Sequence, residues 1–381
     1  MSAASATPQG VTREFVGLPS PLAPRAGAGG HPCQGIYHAP AGGRPRTAFI
    51  ATHYNADFSE HYLAEHLAAR GYGFLGWNTR FRGNEAYFLL DHALAEIGVG
   101  VRWLRERAGV ERVVPLGNSG GGSLMAAYQS QATEPNVTPV AGMRPIPAID
   151  DLPAGDLYVA LAAHPGRPEA LTAWMDPSVT DETDPLAADP GLDPFAPGNV
   201  PPYDPDFQRR YRAAQVARNE RITDWALSEV ERLAAPGSRA RDRLFTVYRT
   251  WADLRMMDPT LEPSDRRPNH CYAGDPAKAN YGVFGIGALS TLRGWLSMWS
   301  LRTSQCRAAP HLARITVPSL VVHATADTGV FESDVRAILD ALAAADKSLE
   351  YVAGDHYFAE REGARAEVAD LVAAWVADRA A

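Results

Sequence analysis

The sequence is poor in cysteine, with three residues among 381. Cys33, Cys271 and Cys306 are far apart, odd in number and in no CxxC or Cys/His spacing, which argues against a disulfide framework and against structural zinc. No run approaches the roughly 18 apolar residues of a transmembrane helix. Residues 1–15 lack the apolar segment of a secretory signal. We therefore expect a cytoplasmic protein with buried, reduced thiols and no membrane association.

The sequence also has no excess of basic residues, because it contains 36 Lys and Arg and 44 Asp and Glu, which gives a net charge of −8. This balance gives no reason to expect a nucleic acid as partner. GxGxxG and P-loop motifs are absent, so no cofactor is predicted. The carboxylates of Trp174–Pro185 lack the loop spacing of a calcium site and are interpreted as caps and turns, so no metal is predicted. With 46% hydrophobic residues, the chain predicts a folded enzyme acting on a small molecule.

Hydrophobic periodicity predicts strands and helices that alternate along the first part of the chain. The predicted strands are Arg13–Leu18, Gly35–His38, Thr47–Tyr54, Tyr72–Phe81, Arg112–Asn118, Asp156–Arg167, Arg314–Asp327 and Ser348–Phe358. Helices are predicted at Ser59–Gly73, Asp91–Arg107, from Asp327 to Leu342, and at Ala366–Ala380. The first two strands are expected to pair at a sheet edge, although the first 45 residues also leave a homodimer contact open. The alternation indicates a mostly parallel central sheet flanked by helices, an α/β fold.

The alternation is interrupted between the sixth and seventh predicted strands. Asp181–Pro205 is proline-rich and should be irregular, whereas Phe207–Arg255 and Leu289–Leu301 have helical patterns. We expect residues 1–166 and 313–381 to form one core, and residues 167–312 to form a large, mainly helical lid. Its arginines are interpreted as a solvated helix face, with an anionic substrate as the alternative. Four tryptophans of the segment are candidates for an apolar substrate pocket, with a core of the lid as the alternative: Trp174, Trp251, Trp295 and Trp299.

Glycines surround one serine where a predicted strand meets a helix. Gly117-Asn118-Ser119-Gly120-Gly121 fits the G-x-S-x-G pattern, and the strand and helix on either side are the context that a nucleophile elbow requires. In such a turn the serine takes a left-handed backbone conformation, and the glycines let strand and helix approach closely. A packing turn is the alternative. The context favours Ser119 as a nucleophile.

A nucleophilic serine needs a base, and the base needs an acid that orients it. Asp327 follows the apolar strand Ser319–His323, and His356 follows the next predicted strand. The chain order Ser, Asp, His and the strand-end positions match the expected arrangement. Asp355 is a weaker candidate acid because it adjoins His356, and His323 lies inside a strand. We therefore predict Ser119, Asp327 and His356 as catalytic residues.

The oxyanion of an acyl-transfer reaction needs hydrogen-bond donors near the serine. One donor is expected from the N–H of Gly120, and another from the loop His53-Tyr54-Asn55 after the third strand. The backbone N–H of Tyr54 or Asn55 is the candidate, with the Tyr54 hydroxyl and the Asn55 amide as alternatives. His53 is interpreted either as structural support of this loop or as part of the site.

Together these residues resemble the α/β-hydrolase superfamily over about half of the chain. The "NTRFRGNE" segment after the fourth strand is similar to an arginine-glycine turn of that superfamily, whereas His53-Tyr54 departs from its usual His-Gly step. The resemblance implies a serine hydrolase that cleaves a carboxylic ester, or a related acyl bond, of a fairly hydrophobic small molecule through an acyl-enzyme on Ser119. Two alternatives stay open: a C–C bond hydrolase of a ring-fission or diketone product, and a non-catalytic ligand-binding protein.

Overall fold

The computed structural model describes residues 10–24, 27 and 29–379 of the chain. The first residues of the predicted core segment and Ala380 of the last predicted helix lie outside the described residues. The strands are β1 Val11–Leu18, β2 Cys33–Pro40, β3 Thr47–Ala51, β4 Gly73–Asn78, β5 Arg112–Asn118, β6 Tyr158–Leu161, β7 Leu244–Thr246, β8 Leu289–Thr291, β9 Ser319–Ala324 and β10 Lys347–Val352. The helices are α1 Ala64–Ala68, α2 Leu90–Trp103, α3 Gly121–Thr133, α4 Arg167–Trp174, α5 Pro205–Ala234, α6 Leu254–Met257, α7 Pro276–Asn280, α8 Leu292–Met298, α9 Ala308–Leu312, α10 Glu332–Ala341 and α11 Ala364–Ala377.

Eight strands form the central sheet in the order β1-β2-β4-β3-β5-β6-β9-β10. The β1–β2 and β2–β4 pairs are antiparallel, and the remaining pairs are parallel. The predicted hairpin at the sheet edge and the mostly parallel sheet are therefore confirmed. All residues of β3, β4, β6 and β9 are buried, as expected for strands that helices cover on both faces.

Two apolar layers lie on opposite faces of the sheet. One layer packs α2 and α3 against the sheet through residues such as Ile97 and Leu124. The other packs α1 and α11 against it through residues such as Leu67 and Val372. Because both faces are covered, the polar ends of the parallel strands are left as the accessible edge, where α/β proteins bind ligands.

Several predicted element boundaries were wrong. The predicted helix Ser59–Gly73 is helical only over α1, and the strand predicted to reach Arg167 ends with β6. Phe207–Arg255 is helical over α5 and again only at its last two residues, which belong to α6, because Pro236 and Gly237 follow α5 and the chain then forms β7. Residues 289–291 form β8 before α8 begins, so the predicted helix there starts too early.

The segment between β6 and β9 contains α4 to α9 and a small antiparallel pair of strands, β7 and β8. Its longest helix, α5, is capped by the preceding residue Asp204, whose carboxylate accepts hydrogen bonds from the N–H groups of Asp206 and Phe207. Trp174, Tyr211 and Trp251 belong to an apolar cluster of this segment, whereas α8 packs into the main core. No helix within the described residues combines the length and the apolar character needed to cross a membrane.

Candidate active site

Ser119 lies in the turn between β5 and α3, and its backbone has a φ of 56°, in the left-handed region. The turn is held by β6, because the Ser119 N–H donates to the Leu161 carbonyl at 3.1 Å. A Cβ at Gly121 would lie 2.3 Å from the carbonyl oxygen of Thr52, so only glycine allows this approach. The strained turn and the close crossing predicted from the glycines are both present.

Ser119, His356 and Asp327 form one chain of hydrogen bonds at the carboxyl ends of β5, β9 and β10. The Nε2 atom of His356 is 2.8 Å from the Ser119 Oγ, and its Nδ1 is 2.6 Å from Oδ2 of Asp327. His356 and Asp327 are each 2% exposed. This arrangement lets the imidazole accept the serine proton while the carboxylate fixes its tautomer.

Asp327 is surrounded by hydrogen-bond donors. Its Oδ1 accepts from the N–H groups of Gly329 and Val330 at 2.9 and 3.0 Å, and from the hydroxyl of Tyr272 at 2.9 Å. Burial raises the pKa of Asp327, but the neighbouring His356 and these hydrogen bonds outweigh it and hold the pKa below its usual value. The carboxylate is therefore charged and oriented toward the imidazole.

Tyr272 comes from the segment between β6 and β9, and its hydroxyl is also 2.9 Å from Nδ1 of His356. Its ring fits against the turn after Asp327, because a Cβ at Gly329 would lie 2.5 Å from the Tyr272 hydroxyl. Nothing in the sequence around this tyrosine points to a contact with Asp327. It reaches the site only because the inserted segment folds back over the sheet edge.

The space beside the backbone of Gly120 is occupied by two side chains that carry donors. A Cβ on Gly120 would lie 2.6 Å from Nε2 of His53 and 2.7 Å from Nη1 of Arg167. The Nδ1 of His53 accepts from the N–H groups of Asn55 and Ala56, at 3.3 and 3.1 Å. Burial and the Arg167 charge lower the pKa of His53 to about 3, so the ring is neutral and its proton is on Nε2, facing Gly120.

The groups of the His53 loop that the sequence predicts as oxyanion donors have different hydrogen-bond partners in the structure. The Tyr54 hydroxyl is buried and lies 3.0 Å from the Ser123 Oγ, and the Asn55 amide donates to Oε2 of Glu85 at 2.7 Å. The Asn55 N–H faces the His53 ring, as described above. These three groups have other partners in the structure, and the assignment of Asn55 and of the Tyr54 side chain to the oxyanion stays a prediction. The backbone N–H groups of Gly120 and Tyr54 stay predicted donors.

Ser119 lies at a cavity of about 600 Å³ that the inserted segment covers. Trp174 and Trp251 line it, with their rings stacked at a centroid distance of 5.0 Å. Trp295 and Trp299 are fully buried and are not among its lining residues. Trp295 donates from Nε1 to the Thr223 hydroxyl at 3.0 Å inside the main core. The structure therefore brings two of the four predicted tryptophans to the cavity and packs the other two as core.

Two further lining residues were missed in the sequence. Arg167 begins α4, and His164 lies just before it, both after β6. Burial, and then the charge of His356, lower the pKa of His164 well below its usual value, so this ring is neutral. Their position after a buried strand was the available signal, because polar residues at strand ends gather at the ligand-binding edge.

The architecture matches that of solved structures at low sequence identity. The α/β hydrolase GrgF from Penicillium sp. sh18 shares 11% identity at a TM-score of 0.50, covering 96% of both chains. Brefeldin A esterase, a bacterial homologue of human hormone-sensitive lipase, shares 15% identity at a TM-score of 0.50, covering all of this chain and 81% of its own. No protein-family model matches the sequence, and neither does any curated protein. The chain therefore has the α/β-hydrolase fold.

Proposed function

We propose that the protein is a serine hydrolase that cleaves a carboxylic ester of a fairly hydrophobic small molecule through an acyl-enzyme on Ser119. The observation that carries the proposal is the hydrogen-bonded chain from Ser119 through His356 to Asp327, in which Ser119 lines a cavity of about 600 Å³. A strained, glycine-flanked serine in contact with a buried imidazole is suited to nucleophilic attack on a carbonyl.

In the proposed reaction, His356 accepts the proton of Ser119 as the hydroxyl oxygen attacks the ester carbonyl. The imidazolium then donates this proton to the departing alcohol oxygen, leaving the acyl group on Ser119. A water molecule, deprotonated by the same imidazole, attacks the acyl-enzyme and releases the acid and the free serine. Asp327, held by Tyr272 and the backbone N–H groups, stabilises the imidazolium in both steps.

We propose that the Gly120 N–H and the Nε2–H of His53 hold the oxyanion. The Nε2 of His53 lies beside the Gly120 backbone, where a Cβ of residue 120 would be, and His53 lines the same cavity as Ser119. The His53 proton faces this space because Nδ1 already accepts two backbone N–H groups. A neutral imidazole can donate in this way without competing with His356 for the serine proton.

We propose that the segment 167–312 acts as a lid that sets specificity. It supplies Trp174 and Trp251 as an apolar wall, and Phe284 and Ile286 beside them. Pockets of several hundred cubic ångströms with such walls suit small organic ligands, with a few polar groups setting orientation. That brefeldin A esterase has this fold supports an ester as the substrate class.

The test is active-site labelling with a fluorophosphonate probe, read by intact mass, on wild type, Ser119→Ala and His356→Ala. We expect one adduct on wild type, none on Ser119→Ala, and slow labelling of His356→Ala. An adduct on another serine, or an unlabelled wild type, would contradict an activated Ser119. Wild type that is labelled but turns over only a vinylogous diketone, and no ester, would favour C–C hydrolysis. Stoichiometric ligand binding without any turnover would favour the non-catalytic alternative.

A further inference from the structure

Arg167 is a buried cation beside the proposed nucleophile, and the reaction described above does not use it. It is 4% exposed, yet it is one of the residues that line the cavity of Ser119. Its guanidinium lies between two aromatic faces, with centroid distances of 5.3 Å to Tyr54 and 4.6 Å to Trp299. Such contacts hold the planar group in place without using its N–H donors.

The donors of Arg167 are left largely without acceptors. The Nε atom is buried and has no hydrogen-bond partner, and no side-chain hydrogen bond from Arg167 is formed within the described residues. Its nearest carboxylate is that of Glu85, at 3.7 Å from Nη2, which is beyond hydrogen-bond distance. The Glu85 oxygens already accept from the Asn55 amide and from the Gly287 N–H, at 2.7 and 2.8 Å.

A buried guanidinium with unmet donors carries a desolvation cost unless a ligand supplies the acceptors. The fork of two Nη groups matches a planar carboxylate, which it can bind through two parallel hydrogen bonds. The oxyanion does not require this fork, because Gly120 and the neutral His53 provide the two donors proposed for it. Arg167 is therefore free to recognise a second group of the substrate.

We propose that Arg167 binds a free carboxylate of the substrate, so that the substrate is an ester whose short acyl chain ends in a carboxylate. The proposal rests on the proposed ester hydrolysis at Ser119. The chain is short because Nη1 of Arg167 lies beside Gly120, the residue next to the nucleophile. The wall formed by Trp174 and Trp251 then faces the alcohol part of the ester.

The test is calorimetric titration of the dicarboxylates malonate, succinate, glutarate and adipate into wild type, with the neutral glutaramide as ligand control. The variants are Arg167→Met, Arg167→Lys and the double variant Glu85→Gln/Arg167→Met. The double variant is included because Arg167→Met alone leaves the partly buried Glu85 without its neighbouring positive charge. Arg365→Met is the matched control, since it removes a positive charge at the same cavity without removing a buried donor.

We expect wild type and Arg365→Met to bind one of the dicarboxylates and not to bind glutaramide. Both variants that carry Arg167→Met should bind it about 10- to 100-fold more weakly, the usual range for a charge-assisted hydrogen bond. Arg167→Lys should fall between them, because it keeps the charge and loses the fork. Wild type that binds no dicarboxylate, or equal binding by all variants, would overturn the proposal.

Fluorophosphonate labelling of the same samples separates this proposal from the proposed function. Dicarboxylate binding without labelling of Ser119 would support the carboxylate site at Arg167 and refute the activated serine. Labelling of Ser119 without dicarboxylate binding would support the activated serine and refute the carboxylate site at Arg167. If wild type bound no dicarboxylate and Arg167→Met slowed labelling about as much as loss of an oxyanion donor, Arg167 would be an oxyanion donor and the carboxylate assignment would be wrong.

Discussion

Gly120→Ala should separate the stability of this protein from its activity. Gly120 has φ −56° and ψ −30°, a helical conformation that alanine adopts without strain. A glycine-to-alanine change at such a position stabilises a protein by about 0.4–1 kcal/mol, through the unfolded state. The added methyl would lie 2.6 Å from His53 Nε2 and 2.7 Å from Arg167 Nη1, and side chains can move away from it. Because both side chains are held by other contacts, moving them offsets this gain, and we expect the melting temperature to fall only slightly.

The activity should fall, because the side chains that move are those beside the nucleophile. Displacing His53 by several tenths of an ångström lengthens its hydrogen bond to the oxyanion, and loss of one such donor typically costs about 10²–10³ in rate. We expect kcat on a 4-nitrophenyl ester, and the rate of fluorophosphonate labelling, to fall about 10²-fold. Both are measured beside a thermal unfolding curve of the same sample.

Gly122→Ala is the matched control in the same helix. Its methyl would lie 2.5 Å from the Cβ of Ala163 and 3.3 Å from its Cα, and these atoms cannot rotate away. This variant should therefore lower the melting temperature by clearly more than Gly120→Ala does. A Gly120→Ala protein that labels and turns over within about twofold of wild type would refute the role given to His53. So would a loss of stability as large as that of Gly122→Ala.

Three further perturbations test the site and the fold. Asp327→Asn should lower kcat by about 10⁴ with a normal unfolding curve, because an amide no longer fixes the imidazole tautomer. Tyr272→Phe should lower kcat about tenfold and leave KM unchanged, since it removes one donor from Asp327 and keeps the ring that lines the cavity. His38→Phe should make the stability of the fold less sensitive to acid. Burial, and then Arg13, lower the pKa of His38 in the folded protein to about 4. Below about pH 6.5 the unfolded chain therefore binds a proton that the folded chain does not bind. Between these values stability falls as pH falls, and urea unfolding at pH 7 and 5 should show wild type losing about 2 kcal/mol more than His38→Phe.

Each of these expectations can be contradicted. Asp327→Asn at more than a tenth of the wild-type rate would mean that the tautomer is fixed by another group. A Tyr272→Phe enzyme with a raised KM would place the hydroxyl against substrate instead of against Asp327. Equal losses of stability in wild type and His38→Phe would show that His38 is protonated in the folded protein.

Much of the fold could be predicted from the sequence because the parallel strands are short, buried runs of apolar residues bounded by polar residues. The elbow was readable because only closely spaced glycines allow β5, Ser119 and α3 to meet, and that spacing is visible along the chain. Boundaries were less readable in the inserted segment. There, the apolar residues of β8 and α8 fit the pattern of a single helix. Only the pairing of β8 with β7 and the packing of α8 in the main core separate the strand from the helix.

The sequence by itself determined where most strands lie along the chain, the turn that holds Ser119, and the strand ends that carry Asp327 and His356. These depend on local sterics and on periodicity, which neighbouring residues set. The tertiary structure alone decided that Tyr272 bonds Asp327, that His53 and Arg167 fill the space beside Gly120, and that Trp299 covers Arg167 instead of lining the cavity. Those contacts join residues far apart in the chain, and their geometry follows from how the inserted segment packs on the sheet edge.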